Sequence, residues 1–466
     1  MRDYYLKTEP LTFLAITKLT VNREINTHGT AVLEGYIADE DEERFLGQLQ
    51  GQVWEKIEET GRDEETTVLF WGLVTGFSIQ RTNDQKRMTL ELTTGTCLMD
   101  LAPHFRTFQD GSMDYSRIFR QITENYPNAG MIKNIPLSNS IKSLVMQYQE
   151  TDWEFLKRMA GRHRSFLVPA SSINGTKYFV DLPKGKTLEL SADARCSIRK
   201  DMQRFLTNRS RGLAGLIENA CTEYIVESRE DCRIGDQIMF QGQPFFIYRI
   251  RSRYQGGEML HTCYLMVRAG LDMPEETEKD RAGCAFQAEV LNVKEDKVQV
   301  RILKDENRSQ NITFWYPYAT VYSTPDGTGW YCMPEIGDQV RLYLPSDREQ
   351  EAYVFSAVHL DTESTDRKDP EHKIIKNRYQ KEIRFTPDSI ILTNNQGTRI
   401  ALTDADGIQI TSSHSVVIRA KDQLTLSSEK GSLTAAGTEA VSLQQKTTGI
   451  RLEEGISFIG GELKVQ

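Results

Sequence analysis

The chain has 466 residues, 39% of them hydrophobic and 26% charged, which is the composition of a soluble globular protein with two to four domains. Its net charge of −9 argues against nucleic-acid binding, because a surface that follows phosphates needs clustered Lys and Arg. The seven cysteines are scattered and form no CxxC pair, so we expect reduced thiols and neither a disulfide framework nor a zinc site.

Residues 1 to about 100 and 166 to 268 predict mainly β structure. Short apolar or alternating runs, such as 68–74 and 244–248, are separated by residues that favour turns. The segment between them, 101–165, carries the clearest helical patterns. One of these is a stripe of apolar residues at helical spacing within 114–123.

A second helix is predicted to begin after Thr151. Thr151 and Glu154 have the spacing of a capping box, and Asp152 lies in the first turn, where the helix dipole favours a negative charge. The buried stripe is then Trp153, Leu156, Met159 and Ala160. A catalytic role for Glu150, Asp152 and Glu154 is the alternative, but capping accounts for two of the three carboxylates without any chemistry.

Residues 271–283 are acidic and contain proline, and they predict a linker. Residues 284–360 predict five strands in fewer than eighty residues. Five strands with glycine-rich turns favour a small OB-like barrel. A charged connector, 361–384, leads into the C-terminal segment.

The C-terminal segment, 385–466, repeats a short apolar pair at alternating positions, mostly at a step of about eight residues. Alternation within each pair is typical of a strand, and the Gly, Asn, Asp and Ser between pairs suit turns. The apolar positions are Ile390, Leu392, Ile400, Leu402, Ile408, Ile410, Val416, Ile418, Leu424, Leu426, Val441, Leu443, Ile450, Leu452, Ile456 and Phe458.

A single copy of such a repeat would have open sheet edges and only two or three inward side chains per unit. We therefore expect several copies to wind together, so that these residues fill one axial core and the edges are paired. If three chains interleave, the segment is a triple-stranded β-helix or β-prism. The alternative is a disordered tail, but disordered tails lack regularly placed Ile and Leu.

Three phrases resemble the VgrG-type spike proteins of contractile injection systems, which are similar to the hub and spike of phage tails (the late control protein D family). The most specific phrase spans Gln147 to Arg158 and includes Tyr148, Glu150, Thr151, Asp152, Trp153 and Phe155. The second is the aromatic and glycine-rich stretch 329–340, and the third lies in 369–385.

The resemblance implies a mainly β fold: a hub (1–270) of two barrel-like subdomains, an OB-fold domain and a trimeric needle. It implies a homotrimer at the tip of the inner tube that adapts a hexameric tube to a threefold needle and pierces a target envelope. The implied partners are an Hcp-like tube protein, baseplate proteins, a PAAR-like tip protein, effector cargo and, transiently, the target membrane.

The sequence departs from some relatives in ways that matter for function. The connector is too short for the lysozyme domain that some relatives carry, and the segment ends without a His-x-His pair. We therefore expect no enzymatic activity, no metal and no cofactor, and contact with the tip protein through Leu463, Lys464, Val465 and Gln466.

The N-terminus has no apolar core long enough for a signal peptide, and no stretch is long enough to span a membrane. Synthesis in the cytoplasm and delivery on contraction are the expectation. The alternative function is a trimeric tail-fibre or adhesin that binds surface glycans, although such a needle would normally expose aromatic residues.

Overall fold

The computed structural model describes residues 5–60, 66–189, 195–240, 242–276, 281–359 and 364–459. The chain divides into two compact units, Met1–His359 and Leu360–Gln466. Both are built mainly from β-strands, as the sequence predicts. Short 3-10 helices lie at Gly95–Asp100, Glu218–Cys221, Arg268–Leu271, Glu349–Glu351 and Thr365–Arg367.

The first stretch of the N-terminal unit contains six strands and one helix. They are β1 Tyr5–Glu9, β2 Ala15–Glu24, β3 Thr27–Ile37, α1 Asp41–Gln48, β4 Trp54–Thr60, β5 Thr66–Thr82 and β6 Gln85–Thr93. The strands lie in the order β1-β4-β5-β6-β3-β2, with every pair antiparallel. Alternate side chains of β3 are buried, which is the period-two pattern of a strand with one face on the core.

The middle stretch contains the two helices that the sequence predicts, but also strands. Its elements are β7 Pro103–Phe108, α2 Tyr115–Thr123, β8 Gly130–Lys133, β9 Val145–Thr151, α3 Asp152–Arg162, β10 Leu167–Pro169 and β11 Lys177–Val180. The expectation of a purely helical segment over 101–165 is therefore incomplete. The strands β7 and β9 are short and pair only with each other, which gives little periodicity to read from the sequence.

The third stretch again contains six strands and one helix. They are β12 Thr187–Leu188, β13 Cys196–Lys200, α4 Met202–Ser210, β14 Thr222–Ser228, β15 Gln237–Phe240, β16 Gln243–Gln255 and β17 Glu258–Met266. Strand β16 pairs with β2, so the strands of the first and third stretches form one twelve-stranded sheet. This pairing removes two open edges, and open edges are costly because their backbone groups lack partners.

The OB-like domain has the five predicted strands. They are β18 Ala285–Lys294, β19 Lys297–Ile302, β20 Tyr316–Pro317, β21 Gln339–Tyr343 and β22 Tyr353–Phe355, in the order β20-β19-β18-β21-β22. Its core is formed by inward side chains such as Val290, Val300, Val340 and Val354. The preceding segment, expected to be a linker, has Arg281 buried, while residues 277–280 lie outside the described part.

The C-terminal unit contains two antiparallel sheets. The first is a meander of β23 Lys373–Lys376, β24 Glu382–Thr386, β25 Ser389–Thr393, β26 Arg399–Thr403 and β27 Gly407–Thr411. The second contains β28 Val441–Gln445, β29 Thr448–Leu452 and β30 Ile456–Ile459. The expected connector, 361–384, thus contributes β23 and the start of β24 to the first sheet.

Between these sheets, residues 412–440 form no strand. The sequence predicts strands here, at Val416/Ile418 and Leu424/Leu426. A short β segment is stable only when a neighbouring strand takes up its backbone hydrogen bonds, and the described part of this single chain provides none here.

Candidate functional site

The capping box predicted at the start of α3 is present. The Thr151 hydroxyl accepts a hydrogen bond from the Glu154 amide at 3.2 Å, and the Glu154 carboxylate accepts one from the Thr151 amide at 3.0 Å. The Thr151 hydroxyl also contacts the carboxylate of Asp100. The Glu154 side chain therefore serves the helix terminus, which leaves it unsuited to catalysis.

Replacing Thr151 with Ala is expected to lower the free energy of unfolding by about 1 kcal/mol, because the Glu154 amide loses its acceptor. The matched control is Glu154→Gln, which keeps an oxygen that can accept from Thr151 and should cost less. Urea unfolding of both variants measures the difference. Equal stability of Thr151→Ala and the wild type would contradict this account.

The apolar stripe of α3 is buried as predicted. Trp153, Leu156, Met159 and Ala160 all belong to the core that packs α3 against α2. Phe155, from the opposite side of the stripe, stacks on Phe108 with ring centroids 5.8 Å apart. These contacts hold α3 in the core, and its polar side chains lie on the other side of the helix.

Arg158 of α3 forms a bidentate ion pair with Glu150. The two Arg158 nitrogens donate to the two Glu150 oxygens, both at 2.7 Å, and Arg158 also donates to the Met146 carbonyl at 2.6 Å. Both side chains are almost completely buried. A buried guanidinium needs such complete pairing, so this contact fixes β9 against α3.

Glu349 of the OB-like domain joins this network from the other side. Its carboxylate lies 2.5 Å from Arg162, 2.6 Å from Arg281 and 3.7 Å from Arg158, and it accepts a hydrogen bond from the Met146 amide at 2.9 Å. Burial by itself would raise the pKa of this carboxyl, but the three guanidinium charges outweigh burial and lower its pKa to about 2.

Because the pKa of Glu349 is lowered, its contribution to the stability of the fold should depend on pH. A carboxyl with a depressed folded-state pKa stabilises the fold above its usual pKa of about 4.5, and this stabilisation is lost as the pH falls towards 2. We therefore expect wild type and Glu349→Gln to differ most in unfolding midpoint at pH 7 and to converge between pH 4 and 2. A constant difference across this range would contradict the assignment.

Asp152 and Gln147 form a second polar cluster with Arg106. The Asp152 carboxylate accepts hydrogen bonds from Arg106 at 2.6 Å, Gln147 at 2.9 Å and the Tyr126 hydroxyl at 2.7 Å. Arg106 also contacts Glu306 of the OB-like domain at 3.0 Å. Asp152 is therefore fully committed to structural contacts.

The free edge of β7 is covered by side chains of the loop 305–313. The amides of Phe105, Thr107 and Gln109 donate to Glu306 at 3.0 Å, Asp305 at 2.9 Å and Gln310 at 2.9 Å, respectively. These side chains take the place of a neighbouring strand, so each of the three backbone amides has an acceptor.

Tyr148 makes the apolar part of the same contact. Its ring packs edge-on against Phe105 at 5.3 Å and against Phe286 of β18 at 5.0 Å. We name the whole contact between residues 103–162 and the OB-like domain the OB junction. Of the eight residues of the Gln147–Arg158 phrase, Tyr148 and Arg158 contact the OB-like domain directly. Gln147, Glu150 and Asp152 bind Arg106 or Arg158, and these arginines reach Glu306 and Glu349.

Several residues of the OB junction carry no signal in the sequence. Glu349, Arg281 and Arg162 lie far apart along the chain, in segments that look like ordinary charged surface. Asp305 and Glu306 likewise resemble a polar turn. The only usable hint is that Arg158 of the phrase, if buried, requires a carboxylate partner.

The C-terminal unit carries the second candidate site, an apolar sheet face. Pairing across β25, β26 and β27 sets Ile390 opposite Leu402, Leu392 opposite Ile400, and Leu402 opposite Ile408. Ile410 lies opposite Ile400. Because alternate residues of a strand share a face, all six predicted core residues of this sheet lie on one side.

This face is uncovered in the single chain. Leu402 is 44% exposed and Ile408 72% exposed. Ile383 and Phe385 of β24 extend the face, and the sequence analysis had assigned neither to the core. We name these eight residues the apolar face.

The remaining predicted core residues are distributed as follows. Val441, Leu443, Ile450, Leu452 and Ile456 share one side of the second sheet, where the backbone of Phe458 pairs with Ile450. Val416, Ile418, Leu424 and Leu426 are exposed on the segment without strands. Leu463, Lys464, Val465 and Gln466, expected to contact a tip protein, lie outside the described residues.

Two further findings bear on function. No group of three or more His, Cys, Asp or Glu that could hold a metal ion occurs among the residues that the structure describes. Within the same residues, no helix is both long and apolar enough to cross a membrane.

Comparison with known families gives one match, over the OB-like domain. Residues 286–359 match the family described as the Type VI secretion system/phage-baseplate injector OB domain. By this match, residues 286–359 are similar to the injector OB domains of that family, and we call them the injector OB domain below. A search of curated proteins gave no match.

Solved structures resemble the chain beyond the injector OB domain. The Escherichia coli c3393 protein, described as a type VI secretion component similar to T4 bacteriophage tail proteins gp27 and gp5, is 13% identical with a TM-score of 0.53, covering 76% of this chain and 100% of that one. A chain of the lidless PdpA-VgrG complex is 11% identical with a TM-score of 0.58, covering 88% and 98%. A chain of the half-lidded Francisella PdpA-VgrG complex is 10% identical with a TM-score of 0.55, covering 88% of each.

These likenesses confirm the resemblance to VgrG-type spikes at the level of the fold. The injector OB domain contacts residues 103–162 through the OB junction. Tyr148 and Arg158 of the Gln147–Arg158 phrase therefore contact the injector OB domain directly.

Proposed function

We propose that the chain is a structural spike and hub protein of a contractile injection apparatus. Three copies would form the tip of the inner tube, adapt a hexameric tube to a threefold needle and pierce the target envelope on sheath contraction. The injector OB domain and the VgrG-like fold support this role.

The apolar face is the observation that carries the proposal. Soluble monomers rarely leave a contiguous row of large aliphatic side chains uncovered, and such a face indicates an interaction site. In a trimer, three copies of this face would meet along one axis. Burial of each Ile or Leu would contribute roughly 1.5–3 kcal/mol, as an upper figure.

The segment without strands supports the same arrangement. Val416, Ile418, Leu424 and Leu426 keep the alternation of strands, but their backbone has no neighbouring strand in the described part of one chain. Two further copies would provide these neighbours. Interwound strands cannot separate singly, which is the mechanical property that a needle under load requires.

The OB junction would transmit the load from hub to needle. The ion pairs around Glu349 and Glu150 are buried and close, which favours one geometry over many. The charged side chains there are engaged with one another, which favours a structural role over an enzymatic one.

The proposed partners follow from this role. They are an Hcp-like tube protein and baseplate proteins at the hub, a PAAR-like tip protein at 463–466, effector cargo, and transiently the target membrane. The similar Francisella structures contain VgrG in complex with PdpA, which supports a second protein bound to the chain as the proposed cargo.

Contraction-dependent release tests the proposal. The chain and the tube protein should appear together in the culture medium of cells with an intact apparatus, and both should stay inside when the sheath protein is deleted. Release of the chain without the sheath, or its retention while the tube protein is released, would contradict the proposed role.

A further inference from the structure

A cavity of about 230 Å³ lies in the N-terminal unit, beside the end of β2. Its lining includes residues from the end of β2, from the loop that joins β10 to β11, and from the segment 231–236. One water molecule needs roughly 10–15 Å³ of such space, so the cavity can hold a much larger group. The polar side chains of the lining decide which chemistry that group has.

Arg23 is the buried charge of this cavity. It is only 8% exposed, and its Nη2 atom donates to the Ser252 hydroxyl at 2.9 Å. Its Nε donor has no hydrogen-bond partner, and Arg23 forms no ion pair within the part of the chain that the structure describes. Burial lowers the pKa of Arg23 by more than the charge of nearby Asp231 raises it. A buried guanidinium normally has its donors paired, so Arg23 leaves one bond open to an anion.

The carboxylates of the lining are already engaged. Asp236 accepts hydrogen bonds from two backbone amides, at 2.8 and 2.9 Å. Asp231 pairs with Arg233 at 3.3 Å, and Glu24 pairs with Arg249 at 3.5 Å. These acceptors therefore have donors of their own and do not satisfy Arg23.

The groups of the lining that remain without a partner are donors. Lys184 is exposed, and its ammonium group forms no ion pair with a described residue. The hydroxyls of Ser171 and Ser172 also make no hydrogen bond within the described ranges. Together with the Nε atom of Arg23, these groups offer two cations and two hydroxyl donors to one ligand. Such a set suits an anion that accepts several hydrogen bonds.

The remaining lining is largely apolar and includes Val68, Val168, Phe179 and Ile234. A site of this composition suits a ligand with an apolar body and one polar end. The charge of that end is also restricted. A phosphate monoester carries about −1.5 to −2 charge at pH 7, and the three carboxylates of the lining would repel it more strongly than a single negative charge.

We propose that this cavity binds a carboxylate carried on an apolar chain. Arg23 and Lys184 bind the carboxylate, and the two serine hydroxyls donate to its remaining lone pairs. Val68, Val168 and Phe179 contact the apolar chain. The inference does not depend on the three-copy assembly, because every group that carries it belongs to one chain.

Titration calorimetry on the full-length protein tests this site with hexanoate as the probe. Acetate has the charge without the chain, and 1-hexanol has the chain without the charge. Hexanoate should bind at least about tenfold more tightly than either, and inorganic phosphate should not compete with it. N-acetyl-leucine presents the carboxylate as the end of a peptide does, so its affinity relative to hexanoate distinguishes a peptide end from a free fatty acid. If neither carboxylate binds at millimolar concentration, or if hexanoate and 1-hexanol bind equally, the proposal is overturned.

Lys184→Met locates the binding. Lys184 is exposed, so the variant should fold normally, bind hexanoate about tenfold more weakly and bind 1-hexanol as the wild type does. Lys186→Met is the matched control, because Lys186 is exposed on the same segment but does not line the cavity. Equal losses in the two variants would overturn the assignment to this cavity. Arg23→Met, if it folds, should abolish hexanoate binding, and unchanged binding by this variant would also overturn the proposal.

Discussion

An Ile408→Asp chain is expected to be monomeric at low micromolar concentration, where we expect the wild type to be a trimer. Ile408 lies in the apolar face opposite Leu402 and is 72% exposed in the single chain, so the substitution leaves the fold of the monomer unstrained. In the trimer it would place three carboxylates in an apolar axis. Burying an unpaired charge costs several kcal/mol, and every 1.4 kcal/mol is tenfold in an equilibrium constant.

Gln409→Lys is the matched control for this substitution. Gln409 is the next residue on the same strand and lies opposite Ala401, on the other sheet face. Its charge should stay in solvent, and the variant should keep the mass of the wild type. If both variants have the same mass in a sizing experiment, the assignment of the inward face is wrong.

Glu349→Gln is expected to lower the free energy of unfolding by about 3–5 kcal/mol, the usual cost of removing one partner from a buried ionic cluster. Gln has nearly the same shape, so the loss reports charge and not packing. Among the described residues, Arg158 would keep Glu150 and Arg162 would keep the exposed Glu275 as counter-charge. The midpoint of urea unfolding, followed by the fluorescence of the five tryptophans, measures it.

The control is Glu351→Gln, two residues along the same turn. Glu351 is half-exposed and pairs with Arg348 at 3.7 Å, so its loss should cost less than about 1 kcal/mol. Similar effects of the two substitutions would show that the cluster around Glu349 stabilises the OB junction no more than a surface pair does.

The parts of the fold that the sequence predicts are those encoded locally. The capping box needs only Thr151 and Glu154 at a fixed spacing, and the strands of the injector OB domain need only short alternating runs between turns. The apolar face is predicted for the same reason, because residues such as Ile400 and Leu402 alternate with polar ones.

The parts of the fold that the sequence does not predict depend on contacts between segments that are distant along the chain. Nothing near Glu349 indicates that three arginines from two other segments surround it. The strands β7 and β9 escape detection because they are short and their edge is covered by side chains of 305–313. The pairing of β2 with β16 also cannot be predicted from local sequence, because the residues of a strand do not indicate whether its edge is paired or open.

The segment 412–440 is a different case, because its sequence predicts strands that a single chain does not form. Val416 and Leu424 have the pattern of strand residues, but the hydrogen-bond partners of their backbone are missing from the described part of one copy. The proposed assembly would provide these partners, and its stoichiometry can be measured.

The native mass of the full-length chain, determined by light scattering at low micromolar concentration, tests the central claim most directly. The account predicts the mass of three chains of 53.3 kDa each. A stable monomer would contradict it, because the apolar face would then have to be covered within one chain or by another protein. That result would favour the adhesin function over the spike function.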